Sequence, residues 1–284
     1  MKSIKHIVLG LALGALALFG SCDKNGDFLL FSIQNDIDLG AQMDAEIEAN
    51  TQEFPILSRS QYPEAYAYLD DIVTEILDNA DISYRDEFAW EVHIVNQDVL
   101  NAFVTPGGYI YVYSGLIQYL DRADDLAGVL GHEIAHADQR HSSKQLQREY
   151  GISLLLSIIV GEETSTLETI VGQIAGTGAV LAFSRGAESE ADAYSVEYLA
   201  QTRYACNGAA SFFQKLIDEG AGSGIPEFLS THPNPDNRVE DINSKADAID
   251  CSTAFYPDPE VSCNATTDRE YTCWKNEELP PFAP

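Results

Sequence analysis

Residues 131–141 read Gly-His-Glu-Ile-Ala-His-Ala-Asp-Gln-Arg-His, and the five residues His132-Glu133-Ile134-Ala135-His136 within them decide the fold. They lie in a stretch where Leu126, Val129, Leu130 and Ile134 recur at helical spacing. On an α-helix, residues four apart differ by roughly 40° in direction and about 6 Å in height, so two imidazoles can reach one cation. Glu133 then stands beside that cation and is free to handle a proton. The pattern predicts one helix from about Asp124, whose carboxylate can cap free N–H groups, to about Arg148.

A catalytic zinc site needs a third protein ligand and a fourth position for water. The residues after His136 are Ala137-Asp-Gln-Arg-His141, which lack the glycine and third histidine of a metzincin, so a downstream carboxylate is required. Ser184-Arg-Gly-Ala-Glu188-Ser-Glu190-Ala-Asp192 supplies it, with Glu188 and Asp192 four apart on one face of a predicted helix. Glu190 is a competing ligand but points to another side of that helix. His141, five residues after His136, is expected to point off the metal face and to serve structure. His93, in a predicted strand, needs no functional role.

Outward from this core, helices are predicted over Ile37 to Asn50, Pro63 to Asn79, Ala187 to Thr202, Gly208 to Glu219 and Asn237 to Ile249. Trp90 to Val95 reads as a strand. Asn101-Ala-Phe-Val-Thr-Pro-Gly-Gly-Tyr-Ile-Tyr-Val-Tyr-Ser-Gly115 reads as two strands around a Pro-Gly-Gly turn, with Tyr109–Tyr113 the last strand of a small sheet. Two apolar runs, 152–160 and 170–183, are too short to cross a bilayer and read as buried or amphipathic helices near the site. The tail from Cys251, with Pro257, Pro259, Pro280 and Pro281, is expected to be irregular.

Gly131-His-Glu-Ile-Ala-His136 with Arg140-His141, the segment Asn101-Ala-Phe-Val-Thr-Pro-Gly-Gly-Tyr-Ile110, and Ser184-Arg-x-x-Glu188-x-x-Ala191-Asp192 together resemble metallopeptidase family forty-eight. This is the gluzincin family of HtpX-type, mitochondrial stress and CAAX prenyl proteases, and the likeness covers roughly Ile37 to Ile249. It implies an α+β, mostly helical zincin-like domain with a small β-sheet whose edge strand flanks the active site. One zinc ion per chain would be held by His132, His136 and Glu188, with Asp192 orienting a ligand histidine from behind. The implied reaction is peptide hydrolysis by zinc-activated water with Glu133 as general base. Tyr109 to Tyr113 would be the edge strand that pairs with an extended substrate, giving Asn101, Tyr109, Ile110 and Tyr111 as substrate-binding residues. Ser230-Thr-His232-Pro resembles a His-Pro segment near the active site of periplasmic members. There His232 would either cap the metal at rest or stabilise the oxyanion, and Arg238 would pair with a carboxylate.

The chain begins Met-Lys-Ser-Ile-Lys, continues apolar from Ile7 to Phe19, and reaches Gly20-Ser21-Cys22, a secretory leader pattern. Cys22 sits where a bacterial lipoprotein carries its lipid. The expected organisation is a signal peptide at 1–21, a lipid-anchored tether at 22–35, a zinc metallopeptidase domain at 36–250 and a disulfide-stapled tail at 251–284. The body would be exported and held by N-terminal lipid in the periplasm or at the outer membrane. Four further cysteines allow three pairings, of which Cys206–Cys251 and Cys263–Cys273 are expected.

With 45 Asp plus Glu against 16 Lys plus Arg among 284 residues, the formal charge is −29, which disfavours nucleic acid as a partner. The expected partner is an unfolded or extended polypeptide, and the expected function an envelope endopeptidase acting on unfolded or misassembled proteins. The competing function is an envelope chaperone or scaffold lipoprotein that binds proteins with little proteolysis.

Overall fold

The computed structural model describes residues 31–177, 179–219, 227–233, 237–256 and 271–283, with the backbone alone of 21–22 and 28–29. The leader and most of the tether therefore lie outside the described residues. So do Cys263 and the side chain of Cys22.

Two two-residue strands, β1 (Ser21–Cys22) and β2 (Phe28–Leu29), pair antiparallel. Helix α1 (Ile33–Ala49) begins four residues before its predicted start, because Ser32 accepts a hydrogen bond from Asn35 N and Phe31 is buried. Residues 31–35, expected in the tether, thus pack with the body. Helix α2 runs over Pro63–Asn79 with proline at its first turn, as its spacing predicts.

The sheet contains β3 (Glu91–Val95), β4 (Ala102–Thr105) and β5 (Tyr109–Tyr113) in the order β3-β5-β4. β3 runs parallel and β4 antiparallel to β5. The hairpin between β4 and β5 turns through Gly107 and Gly108, at φ +78° and +85°, a region open to glycine but strained for other residues. Tyr109–Tyr113, expected at the edge, is therefore the central strand.

Both faces of this sheet are covered. Val92, Ile110 and Val104 share one register row, and Ile94, Val112 and Ala102 the next, all facing the core built by α2 and the long helices. On the reverse face His93, Tyr111 and Phe103 stack in a cross-strand ladder, with ring centroids 5.0 and 4.6 Å apart, beneath α1. Coverage on both faces leaves the sheet no wet side.

After α3 (Ser114–Tyr119) comes α4 (Ala123–Asp138), whose residues are all buried. Asp125, not Asp124, closes its N-terminus by accepting from Arg122 N at 3.2 Å; Asp124 instead accepts from Ala205 N and Tyr256 N. The predicted single helix breaks at Arg140, whose φ of 59° is left-handed, and α5 (His141–Tyr150) starts anew. A non-glycine residue there costs roughly 1 kcal/mol or more. The buried Arg140 side chain is held by Asp36 Oδ2 at 2.5 Å and by Phe31 O at 2.6 Å, which fixes the break.

The two apolar runs form α6 (Ile152–Ile159), α7 (Thr164–Thr177) and a 3-10 turn at Ala179–Leu181, packed on α1 and on one another. Among the described residues, no helix is long and apolar enough to cross a membrane. Helices α8 (Arg185–Leu199), α9 (Gly208–Asp218), α10 (Glu227–Thr231) and α11 (Arg238–Ile249) follow, with α8 and α9 both packed on α4. The tail is not wholly irregular: α12 (Tyr271–Glu278) buries Tyr271 and Trp274 against α2 and α3. Cys206 and Cys251 form a disulfide, and Cys273 is also disulfide-bonded.

Candidate metal centre

Helix α4 presents His132, Glu133 and His136, and α8, capped by Ser184, presents Glu188 and Asp192 toward it. His232 enters from the end of α10. Nε2 of His132 lies 2.9 Å from Nε2 of His136, 3.3 Å from Nδ1 of His232 and 3.5 Å from Oε2 of Glu188. Oε1 of Glu188 lies 3.5 Å from Nε2 of His136 and 3.2 Å from Nδ1 of His232.

These distances test whether zinc fits. Ligand bonds of about 2.0–2.2 Å give tetrahedral edges of roughly 3.3–3.6 Å. The observed spacings of 2.9–3.5 Å approximate that figure, with all four donor atoms within 4.8 Å of one another and all four residues buried. Three imidazoles and a carboxylate are also a donor set suited to zinc. The sequence names His132, His136 and Glu188 as ligands and gives His232 either a capping or an oxyanion role; the structure brings donor atoms of all four together.

His132 is held from behind by Asp192, whose Oδ1 lies 2.9 Å from Nδ1, and Asp192 is gripped by Arg238 at 2.6 and 2.8 Å. Arg238 also lies 3.0 Å from Glu188 Oε2. Burial and Arg238 push the His132 pKa down, but hydrogen bonds to Asp192 and Glu188 outweigh them and hold it up at about 9. Burial, reinforced by the nearby His132 charge, keeps His136 well below the usual histidine range. For Glu188, burial favours the neutral acid, yet the His232 charge and hydrogen bonds from His132 and His136 hold its carboxyl well below the ordinary range.

Glu133 has no metal-facing partner of this kind. Both its oxygens are buried without a hydrogen bond, Oε1 lies 3.4 Å from His232 Nε2, and burial pushes its carboxyl up against the pull of the His232 and His132 charges. An orphaned, desolvated carboxylate beside four clustered donors is suited to accepting a proton from a small guest there.

The expected substrate strand needs correction. β5 spends its backbone groups on β3 and β4, and Ile110 and Tyr111 are fully buried, so neither they nor half-buried Tyr109 can pair with a peptide. The sheet edge that flanks the centre is β4. Its outward carbonyls at Ala102 and Val104 accept from His232 Nε2 (3.3 Å) and Ser142 Oγ (2.7 Å). Asn101 is buried and accepts from Thr231 Oγ1 at 3.2 Å, so it anchors the His232 segment. Two rings flank the cluster: Phe183 stacks on His136 at 3.9 Å and Phe228 on His232 at 4.3 Å.

Glu190 is not in the donor cluster. It lies 3.2 Å from Nε2 of His141, whose Nδ1 is 2.9 Å from Nδ1 of His136. His141 too is outside the donor cluster, but the break at Arg140 brings its ring against His136, a contact that the assumption of an unbroken helix did not foresee.

A profile of peptidase family M48 matches residues 63–246. The chain is 32% identical over 192 residues to the beta-barrel assembly-enhancing protease of Yersinia pestis, covering 64% of this chain and 39% of that one. It is 30% identical over 166 residues to the protein of the same name from Escherichia coli, covering 55% and 34%. Against the mitochondrial metalloendopeptidase OMA1 of Schizosaccharomyces pombe it is 30% identical over 188 residues, covering 62% and 54%. The chain thus spans between about a third and about half the length of these relatives.

Proposed function

The chain belongs to peptidase family M48, and on that footing we propose that it is a zinc-dependent endopeptidase with His132, His136 and Glu188 as metal ligands. The observation that carries this is the buried set of donors at zinc-like spacings with the unpartnered Glu133 beside it. A zinc ion held there would supply a water of lowered pKa and polarise a scissile carbonyl. Glu133 takes the water proton and returns it to the leaving amine. Asp192, fixed by Arg238, holds His132 in the orientation that offers Nε2.

His232 is proposed as the resting cap. Its Nδ1 fills the fourth donor position that a catalytic site leaves to water, and its Nε2 occupies the carbonyl of Ala102 on the β4 edge. Swinging away would free a coordination position and the Ala102 carbonyl together, an acceptor that the backbone of an extended polypeptide can use without sequence preference, while Val104 O stays with Ser142. The names of the relatives in Yersinia pestis and Escherichia coli refer to β-barrel assembly, which supports envelope proteins as substrates. The leader and Cys22 support export and lipid attachment to the envelope.

Incubation of the purified chain lacking residues 1–22 with unfolded casein tests the reading. Cleavage is expected from the zinc-loaded protein and not from Glu133→Gln or a chelated sample. Zinc-loaded protein that binds casein without cutting it, even with His232 replaced, would favour the chaperone function instead.

A further inference from the structure

Of the two histidines proposed as ligands, His132 is braced at Nδ1 by the Asp192 carboxylate. His136 Nδ1 meets another imidazole, Nδ1 of His141, at 2.9 Å, and the far nitrogen of that ring, Nε2, meets Glu190 Oε2 at 3.2 Å. We infer that Glu190 and His141 form a relay that sets the tautomer of His136, with His141 as the positioning residue that keeps His136 Nε2 open to the metal. The inference rests on the proposed metal site.

The proton assignment follows from the contacts. Each neutral imidazole carries one N–H and one acceptor nitrogen. A carboxylate at Glu190 can only accept, and beside it the His141 proton sits on Nε2 and its Nδ1 is the acceptor. His136 must then donate from Nδ1, which leaves its Nε2 lone pair toward Nε2 of His132, 2.9 Å away, and the other donors. In the opposite tautomer, Nε2 of His136 would carry a proton and bind no cation, while two bare Nδ1 atoms would face each other. No proton is transferred in this arrangement.

The fold explains why a residue five positions on can do this. In a continuous helix, five residues turn the side chain by about 140° away from His136. The left-handed backbone at Arg140 ends α4, and α5 begins at His141 in a new direction that brings the ring back against His136. Arg140 is fixed by Asp36, 104 residues away, so α1 sets the break that places the relay. His141 is 4% exposed and Glu190 30%, so the inner link is shielded while its outer end reaches a cavity lined by Lys144, Arg148 and Ser184.

The test is zinc affinity, read by competition with a chromogenic chelator on the purified full chain, without reference to peptide cleavage. His141→Ala removes the acceptor and is expected to weaken zinc binding roughly 10- to 100-fold. His141→Asn places an amide oxygen where Nδ1 stood and is expected to recover most of that loss. Glu190→Ala, at a position 30% exposed, is expected to weaken binding several-fold. Wild-type affinity in His141→Ala, or an Asn variant as weak as Ala, overturns the relay while the metal site stands. A wild-type chain that takes up no zinc overturns both.

Discussion

Nε2 of His232 and Oε1 of Glu133 face each other at 3.4 Å with both side chains fully buried, so the proposed cap and the proposed base share one small space. While His232 is in place, its ring lies against Glu133 and its Nδ1 stands among the metal donors. His232→Ala is therefore expected to retain zinc through His132, His136 and Glu188 and to cleave unfolded casein faster than wild type. A fall in cleavage with zinc retained would mean instead that His232 stabilises the transition state.

Arg238 neutralises two buried carboxylates, Asp192 at 2.6 Å and Glu188 at 3.0 Å. Removing one partner of a buried pair leaves uncompensated charge, at a cost of about 3–5 kcal/mol. Urea unfolding of metal-free Arg238→Ala is expected to show a loss of that size, and a smaller one once zinc supplies positive charge. A loss below about 1 kcal/mol, the range of an exposed pair, would show that Arg238 is not carrying this charge.

Helices α4 and α9 touch backbone to backbone at Gly128. A Cβ there would lie 2.1 Å from Ala209 N and 2.5 Å from Gly208 C, atoms that cannot swing aside. Gly128→Ala should force the helices apart and cost about 1–3 kcal/mol despite alanine's better helix propensity. A thermal midpoint at or above wild type would contradict the packing.

The Cys206–Cys251 disulfide closes a loop with a sequence separation of 45. Chain entropy assigns such a loop about 4 kcal/mol. Cys206→Ser/Cys251→Ser is expected to lower the denaturant midpoint accordingly, and an unchanged midpoint would show that α9 and α11 hold the loop unaided.

What the sequence disclosed depended on the range of the interactions. His132, His136, Glu188 and Asp192 come together because 3.6-residue periodicity acts within a helix, and the motif placed both helices in register. The break at Arg140 was not legible: Gln139-Arg-His141 holds neither glycine nor proline, and the cause is Asp36 in a distant helix. That hid the partnership of His141 with His136. Strand order was likewise hidden, though Tyr-Ile-Tyr-Val-Tyr113 carries a signal in its want of polar alternation, which fits a central strand covered on both faces. Helix α12 offers only Tyr271 and Trp274 as a short apolar face, too little for periodicity to register.

The most direct measurement of the central claim is the casein cleavage rate of zinc-loaded His232→Ala against zinc-loaded His232→Ala/Glu133→Gln. The structure predicts rapid cleavage by the first and none by the second, with one zinc per chain in both. Equal cleavage by the two would contradict Glu133 as the base, and loss of zinc from both would contradict His132, His136 and Glu188 as a sufficient ligand set.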